Sequence, residues 1–195
     1  MKYEITKEFK FAAGHRVPTQ NVDPELALTN INKCRHLHGH EYTVAVTIGS
    51  DQLNFGVVTD FNHLNKVKEY IDKNFDHKFI LWIDDPLFEI LVGSLLSETK
   101  KEIKNNVFSY LSPRVYSPNY IIDNTANKDE TKNNVVSEYV KSFTIVNFIP
   151  TAESIAEHFA EYIEKSIITK IELGCKLIKV EVFETPTSSA VFFCI

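Results

Sequence analysis

Cysteine is scarce in this chain: there are three in 195 residues, Cys34, Cys175 and Cys194, far apart and without a Cys-x-x-Cys pair. That argues against a disulfide framework and points to a reducing, cytoplasmic setting. Glycine is scarce too, with six residues and no Gly-x-y period, so a collagen-like fibre is excluded. No apolar run approaches the ~20 residues needed to cross a bilayer. The N-terminal MKYEITKEFKF lacks the apolar stretch of a signal peptide, and no membrane partner is expected. Positive charge is in deficit, 21 Lys and Arg against 26 Asp and Glu, and the net −5 argues against a broad nucleic-acid-binding surface. A local anion site needs only a few cations, for which Arg16, Lys33 and Arg35 are candidates. There is no internal repeat of fixed period and no His-Glu-x-x-His zinc-hydrolase motif. What remains, 44% hydrophobic and 24% charged residues, is the ordinary balance of a folded soluble protein. Against it the histidines stand out. Three of the seven, His36, His38 and His40, fall within five residues.

Residues 3–11 alternate, with Tyr3, Ile5, Phe9 and Phe11 on one parity, which predicts a half-buried strand. Residues 17–33, with two prolines and several Asn and Asp, predict a long loop. A second alternation runs through His38, His40, Tyr42, Val44, Val46 and Ile48. Asp60 is a suitable N-cap for a helix carrying Phe61, Leu64, Val67 and Ile71 to about Phe75. A second helix opens after Pro150 with Thr151 placed to cap it, and its stripe is Ile155, Ala156, Phe159, Tyr162, Ile163 and Ile167. Strands are predicted at 177–184 and 190–195, joined by the turn-rich TPTSS. The order strand, strand, helix, helix, strand, strand is an α+β pattern with a largely antiparallel sheet. Between the helices, 87–108 has helical character and 117–134 reads as an exposed loop. The organisation predicted is a single domain over 1–195 with an insertion at about 86–146.

The most informative local feature is His38-Gly39-His40. Residues two apart on a strand face the same side, and Gly39 between them permits close backbone approach. His15 follows the first strand on the parity of Phe9 and Phe11. If the two strands pair, three imidazoles converge at one end of a half-buried face. Neutral imidazole is the commonest zinc ligand, and a catalytic Zn²⁺ site takes three protein ligands with one position open. His36 reads as loop structure or as support for the ligands. Cys34, four residues before His38, has three readings: a small buried side chain, a base or nucleophile with a lowered pKa, or a fourth ligand closing a Cys-His₃ site. Asp76-His77 is either a proton-transfer pair or a helix end whose histidine the dipole favours. Glu184 ends an apolar strand face. It lies either at an exposed strand end or in a cleft, where a carboxylate suits the paired N–H donors of a pterin or guanine ring.

Six segments, FKFAAGHRV, CRHLHGHEYTVAV, GVVTDFNHL, NFDHKFIL, PTAESIAEHF and VEVFETPTSSAVF, occur in this order along the chain. In them the sequence resembles the 6-pyruvoyltetrahydropterin synthase and 6-carboxytetrahydropterin synthase family. The resemblance implies a tunnelling fold (T-fold): a four-stranded antiparallel sheet with two helices on one face, closing into an oligomeric barrel. It implies Zn²⁺ on His15, His38 and His40, Cys34 as the catalytic cysteine, and Asp76 and His77 as a proton relay. Glu184 becomes the pterin anchor, with Thr151 and Glu153 lining the same pocket. It further implies a homohexamer in which Cys34 and the Asp-His pair meet across a subunit boundary. The Cys-x₃-His-Gly-His spacing looks like the 6-carboxytetrahydropterin synthases of queuosine biosynthesis, lyases that convert 7,8-dihydroneopterin triphosphate to 6-carboxytetrahydropterin, acetaldehyde and triphosphate. The alternatives are a 6-pyruvoyltetrahydropterin synthase, which eliminates triphosphate without cleaving the side chain, and a non-catalytic zinc- or pterin-binding oligomer. The sequence departs from the family at Gly14, where Ala is common, and in the size of its insertion.

Overall fold

Alternating apolar residues become long strands wherever one face is buried and the other wet. The first alternation forms β1 (Tyr3–His15), longer than predicted because the buried parity Phe9, Phe11 continues through Ala13 to His15. The second forms β2 (His38–Ser50), where Tyr42, Val44, Val46 and Ile48 are all fully buried. The elements that follow are α1 (Asn65–Asn74), β3 (Lys78–Trp82), α2 (Phe88–Leu91), β4 (Val115–Tyr116), α3 (Glu130–Lys141), β5 (Phe143–Val146), α4 (Ala152–Ser166), β6 (Lys176–Thr185) and β7 (Ser188–Phe193). The computed structural model describes residues 1–26, 32–95, 115–116, 130–171 and 174–194. The chain forms two compact units whose division runs through the first two strands. Met1–Ala12, His40–Asp76 and Ala152–Ile195 make one, and Ala13–Gly39 with His77–Thr151 the other.

In the first unit the strand order is β1-β2-β6-β7. The predicted α+β core is here: four strands, with β2–β6 and β6–β7 antiparallel, and helices α1 and α4. Phe11 stacks on Tyr42 with ring centroids 5.0 Å apart and meets Phe75 and Phe159 edge-on. These rings join the strand faces to the apolar stripes of both helices. Asp60 caps as predicted, accepting the Asn62 N–H at 2.7 Å, but what it caps is a 3₁₀ turn, Phe61–Leu64, that leads into α1. On β6 the buried set is Leu177, Val180 and Val182, because a register shift opposite Thr47 and Ile48 breaks strict alternation. The TPTSS segment is tighter than predicted. Thr185 already pairs with Ser188, leaving two residues, Pro186 and Thr187, as the turn.

In the second unit the order is β4-β5-β3-β1. The end of β1 runs parallel to β3, with Ala13 opposite Lys78 and Gly14 opposite Phe79, and β3 runs parallel to β5. None of β3, β4 and β5 is predicted by alternation, and the reason is physical. Parallel strands covered on both faces carry continuous apolar residues, as KFILW and FTIV do, and show no period of two. Leu81, Ile83, Phe88, Val92, Phe143 and Ile145 form the core of this unit. Of the predicted helix at 87–108, the described residues form α2 and a 3₁₀ turn at Gly93–Leu95; positions 96–108 lie outside the described residues. Of the predicted loop at 117–134, positions 117–129 also lie outside them, and 130–134 are the start of α3 instead.

Gly39 earns its place by close approach. A Cβ there would sit 2.9 Å from the Ala13 carbonyl oxygen, a backbone atom that cannot swing aside. Gly39→Ala is expected to lower stability by about 1–3 kcal/mol, the usual cost of overpacking. The urea midpoint should fall, and metal uptake should weaken because both neighbours of Gly39 are histidines.

Candidate metal centre and active site

Three imidazoles meet at the start of β2 and the end of β1. One ring nitrogen from each of His15, His38 and His40 lies within 4.8 Å of the others, and among the described residues this is the group able to hold a metal ion. His38 and His40 share a side of β2 because they are two apart. His15 is wholly buried because it continues the inward parity of β1, and its ring centroid is 4.5 Å from that of His38.

Two of the rings are aimed by backbone carbonyls. His15 Nδ1–H donates to Pro150 O at 2.7 Å, and His38 Nδ1–H donates to His36 O at 2.8 Å. A carbonyl only accepts, so Nδ1 is the protonated nitrogen in both rings, and in the neutral imidazole that leaves Nε2 with the lone pair a metal needs. His36 therefore takes the supporting part among its two readings, through its backbone. Pro150 was not singled out from the sequence, although it stands at the head of the PTAESIAEHF segment.

Cys34 is half-buried on a 3₁₀ turn, Lys33–Arg35. Its N–H donates to Gln20 Oε1 at 2.9 Å, and its carbonyl accepts from Val17 N–H at 2.6 Å. Gln20 is a second residue the sequence did not mark, since its loop has no periodicity to give it away. Cys34 is not in the ligand group, so the closed Cys-His₃ reading gains no support. Cys175 and Cys194 are the other thiols. Burial pushes both above the ordinary cysteine range, and the charge of Glu164 raises them further, which keeps them protonated and poor nucleophiles.

Asp76 and His77 lie just past α1. Phe75 N–H and Asp76 N–H both donate to Ile71 O, and Asp76 Oδ1 accepts Ala12 N–H at 3.0 Å. His77 is exposed and adopts φ +56°, a left-handed conformation that costs a non-glycine residue roughly 1–3 kcal/mol. It turns the chain from α1 into β3, so the imidazole is carried on a strained turn and not on the helix itself. Glu184, half-buried at the end of β6, has Oε1 3.8 Å from His40 Nε2, an electrostatic distance longer than a hydrogen bond. Thr151 immediately precedes α4, and Glu153 is exposed in its first turn. The phosphate candidates divide. Lys33 and Arg35 are exposed, and Arg35 Nε donates to Gln20 O; Arg16 is not free but ion-paired to Asp85.

Comparison with known proteins gives the family of the chain. The family profile described as 6-pyruvoyl tetrahydropterin synthase matches residues 4–193. A 6-carboxy-5,6,7,8-tetrahydropterin synthase of Aquifex aeolicus is 30% identical over 197 residues, 97% of each chain. Another, from Rickettsia bellii, is 29% identical over 94% of each. Among solved structures, an uncharacterized protein of Wolinella succinogenes is 38% identical, with a TM-score of 0.81 over 98% of this chain and 97% of that one. The Caenorhabditis elegans 6-pyruvoyl tetrahydropterin synthase, at 17% identity and a TM-score of 0.51 over 99% and 96% of the two chains, shares the fold. Among the described residues no helix is long and apolar enough to cross a membrane.

Proposed function

Because the chain belongs to the 6-pyruvoyl tetrahydropterin synthase family, a family of pterin-synthesising lyases, we propose that it is the 6-carboxytetrahydropterin synthase of queuosine biosynthesis. Its substrate on this reading is 7,8-dihydroneopterin triphosphate, and its products are 6-carboxytetrahydropterin, acetaldehyde and triphosphate. The observation that carries the reading is the convergence of His15, His38 and His40, two of them held by carbonyls in the metal-binding tautomer. An all-imidazole set of three suits Zn²⁺ with one position left for substrate. The full-length relatives named for the carboxy product favour it over the pyruvoyl product.

His15, His38 and His40 would hold Zn²⁺, which would supply Lewis acidity at this site. Cys34, held by its backbone on the 3₁₀ turn, takes the side-chain proton as a thiolate base. His77 exchanges protons from the other side, and Asp76 orients it. Glu184 accepts the paired N–H donors of the pterin ring and so sets the reacting carbon over the three imidazoles. Thr151 and Glu153 line the same pocket. The enzyme works in the cytoplasm as a homohexamer, with Asp76 and His77 of one subunit serving Cys34 of a neighbour, and the 86–146 segment is an insertion into a single T-fold domain.

Incubation with dihydroneopterin triphosphate tests the proposal directly. Release of acetaldehyde is expected, and a 6-pyruvoyl product without acetaldehyde would falsify the carboxy assignment. Glu184→Gln separates two parts that its 3.8 Å distance from His40 allows. As the pterin anchor, Glu184 loses a charge-assisted hydrogen bond worth about 1.5–3 kcal/mol. Pterin binding should then weaken by roughly 10- to 100-fold with metal content unchanged. Loss of metal would make Glu184 an orienting partner of His40 instead.

A further inference from the structure

Between the buried ligand His15 and the turn that carries Cys34 lies a short connection, His15-Arg16-Val17, whose middle residue is anchored in an unexpected way. Arg16 has only 12% of its side chain exposed and Asp85 only 1%, with Arg16 Nε 3.3 Å from Asp85 Oδ2. That contact is an ion pair without hydrogen-bond geometry, and the other oxygen of the carboxylate, Oδ1, accepts Leu87 N–H at 2.7 Å. Asp85 is itself fixed by its N–H to Trp82 O and by its carbonyl, which accepts Phe88 N–H at the start of α2. The carboxylate is thus held by the rigid β3–α2 corner before it meets the arginine.

The register of β1 on β3 ends at Gly14 opposite Phe79. The strand itself ends at His15, so Arg16 is the first residue that β1 does not place. Val17 N–H donates to Cys34 O, so any movement of Arg16 is passed in one direction to a metal ligand and in the other to the cysteine turn. We infer that the buried Arg16–Asp85 pair positions the metal centre, holding His15 and Cys34 at a fixed separation through the backbone on either side of Arg16. Neither side chain touches the metal ion or the substrate in this assignment; both act through their neighbours. The inference rests on the reading of His15 as a ligand and Cys34 as the base.

Removing one member of a buried ion pair strands the other as an uncompensated charge and destabilises the fold in general. The informative variant is therefore the double one, Arg16→Met with Asp85→Asn, which leaves no buried charge and keeps an acceptor for Leu87 N–H. Its thermal midpoint is expected near that of the unaltered protein. Its dissociation constant for Zn²⁺, read by chelator competition, should rise about tenfold, as loss of a ligand's support usually does. The Co²⁺-substituted protein should show a shifted d–d absorption band, and kcat should fall with little change in KM. Arg16→Lys, which retains the pair, should recover most of the Zn²⁺ affinity even if the double variant folds poorly. A double variant that binds Zn²⁺ as tightly as the unaltered protein, with the same Co²⁺ spectrum, overturns the inference and leaves the proposed reaction standing. An unaltered protein that takes up no metal overturns both.

Discussion

Replacing His38 by alanine is expected to strip the metal ion and abolish turnover together. Zinc bound by four protein ligands is worth about 10–16 kcal/mol, or roughly 3–4 kcal/mol for each ligand. Losing one of three imidazoles should then raise the dissociation constant by about 10²–10³. His38 is the better choice for this test among the three. His15 is wholly buried and bonded to Pro150 O, so His15→Ala opens a cavity as well as a vacant coordination position and confounds the reading. His38 is half-buried at the first position of β2, and its Nδ1 is bonded to the carbonyl two residues before it. The apo forms of His38→Ala and the unaltered protein should unfold at similar urea concentrations. The difference belongs in the metal analysis of the purified proteins, and a His38→Ala chain that kept its zinc would remove His38 from the ligand set.

Much of this centre was legible in the sequence, and the reason lies in strand geometry. A period of two is all that is needed to set His38 beside His40 and to put His15 on the parity of Phe9 and Phe11. The structure carries both alternations to the predicted end of the face. What escaped was of two kinds. The strands β3, β4 and β5 escaped because burial on both faces, or a length of two residues, erases alternation. The supports of the site escaped because they act through backbone carbonyls and loop side chains: Pro150 O on His15, His36 O on His38, Gln20 on Cys34. Such contacts depend on where a chain returns in space, and no local pattern encodes that. Arg16 shows the limit most sharply. By sequence it was a candidate for a phosphate contact, and only the fold brings Asp85, 69 positions further on, against it.

Cys34→Ala is the complementary experiment, expected to abolish turnover while the metal stays near one ion per chain. The substitution is close to surgical. The hydrogen bonds Cys34 N–H to Gln20 Oε1 and Val17 N–H to Cys34 O are made by the backbone of residue 34 and survive the loss of sulphur. The thiol is half-exposed, so no core cavity opens, and it is not in the ligand group. What the substitution removes is the proposed base, and a positioned acid or base contributes about 10²–10⁴ in rate. Turnover should fall by at least that much, with pterin binding little changed. Cys34→Ser should not restore it, because a hydroxyl is a far weaker acid than a thiol and supplies far less of the ionised base at neutral pH. Cys175→Ala and Cys194→Ala supply the control, since burial holds those thiols in the protonated form and neither belongs to the proposed machinery. If Cys34→Ala instead lost its zinc, the thiol would be a fourth ligand of a closed structural centre. The three histidines would then hold a fold together, and the site would have no open coordination position for a substrate.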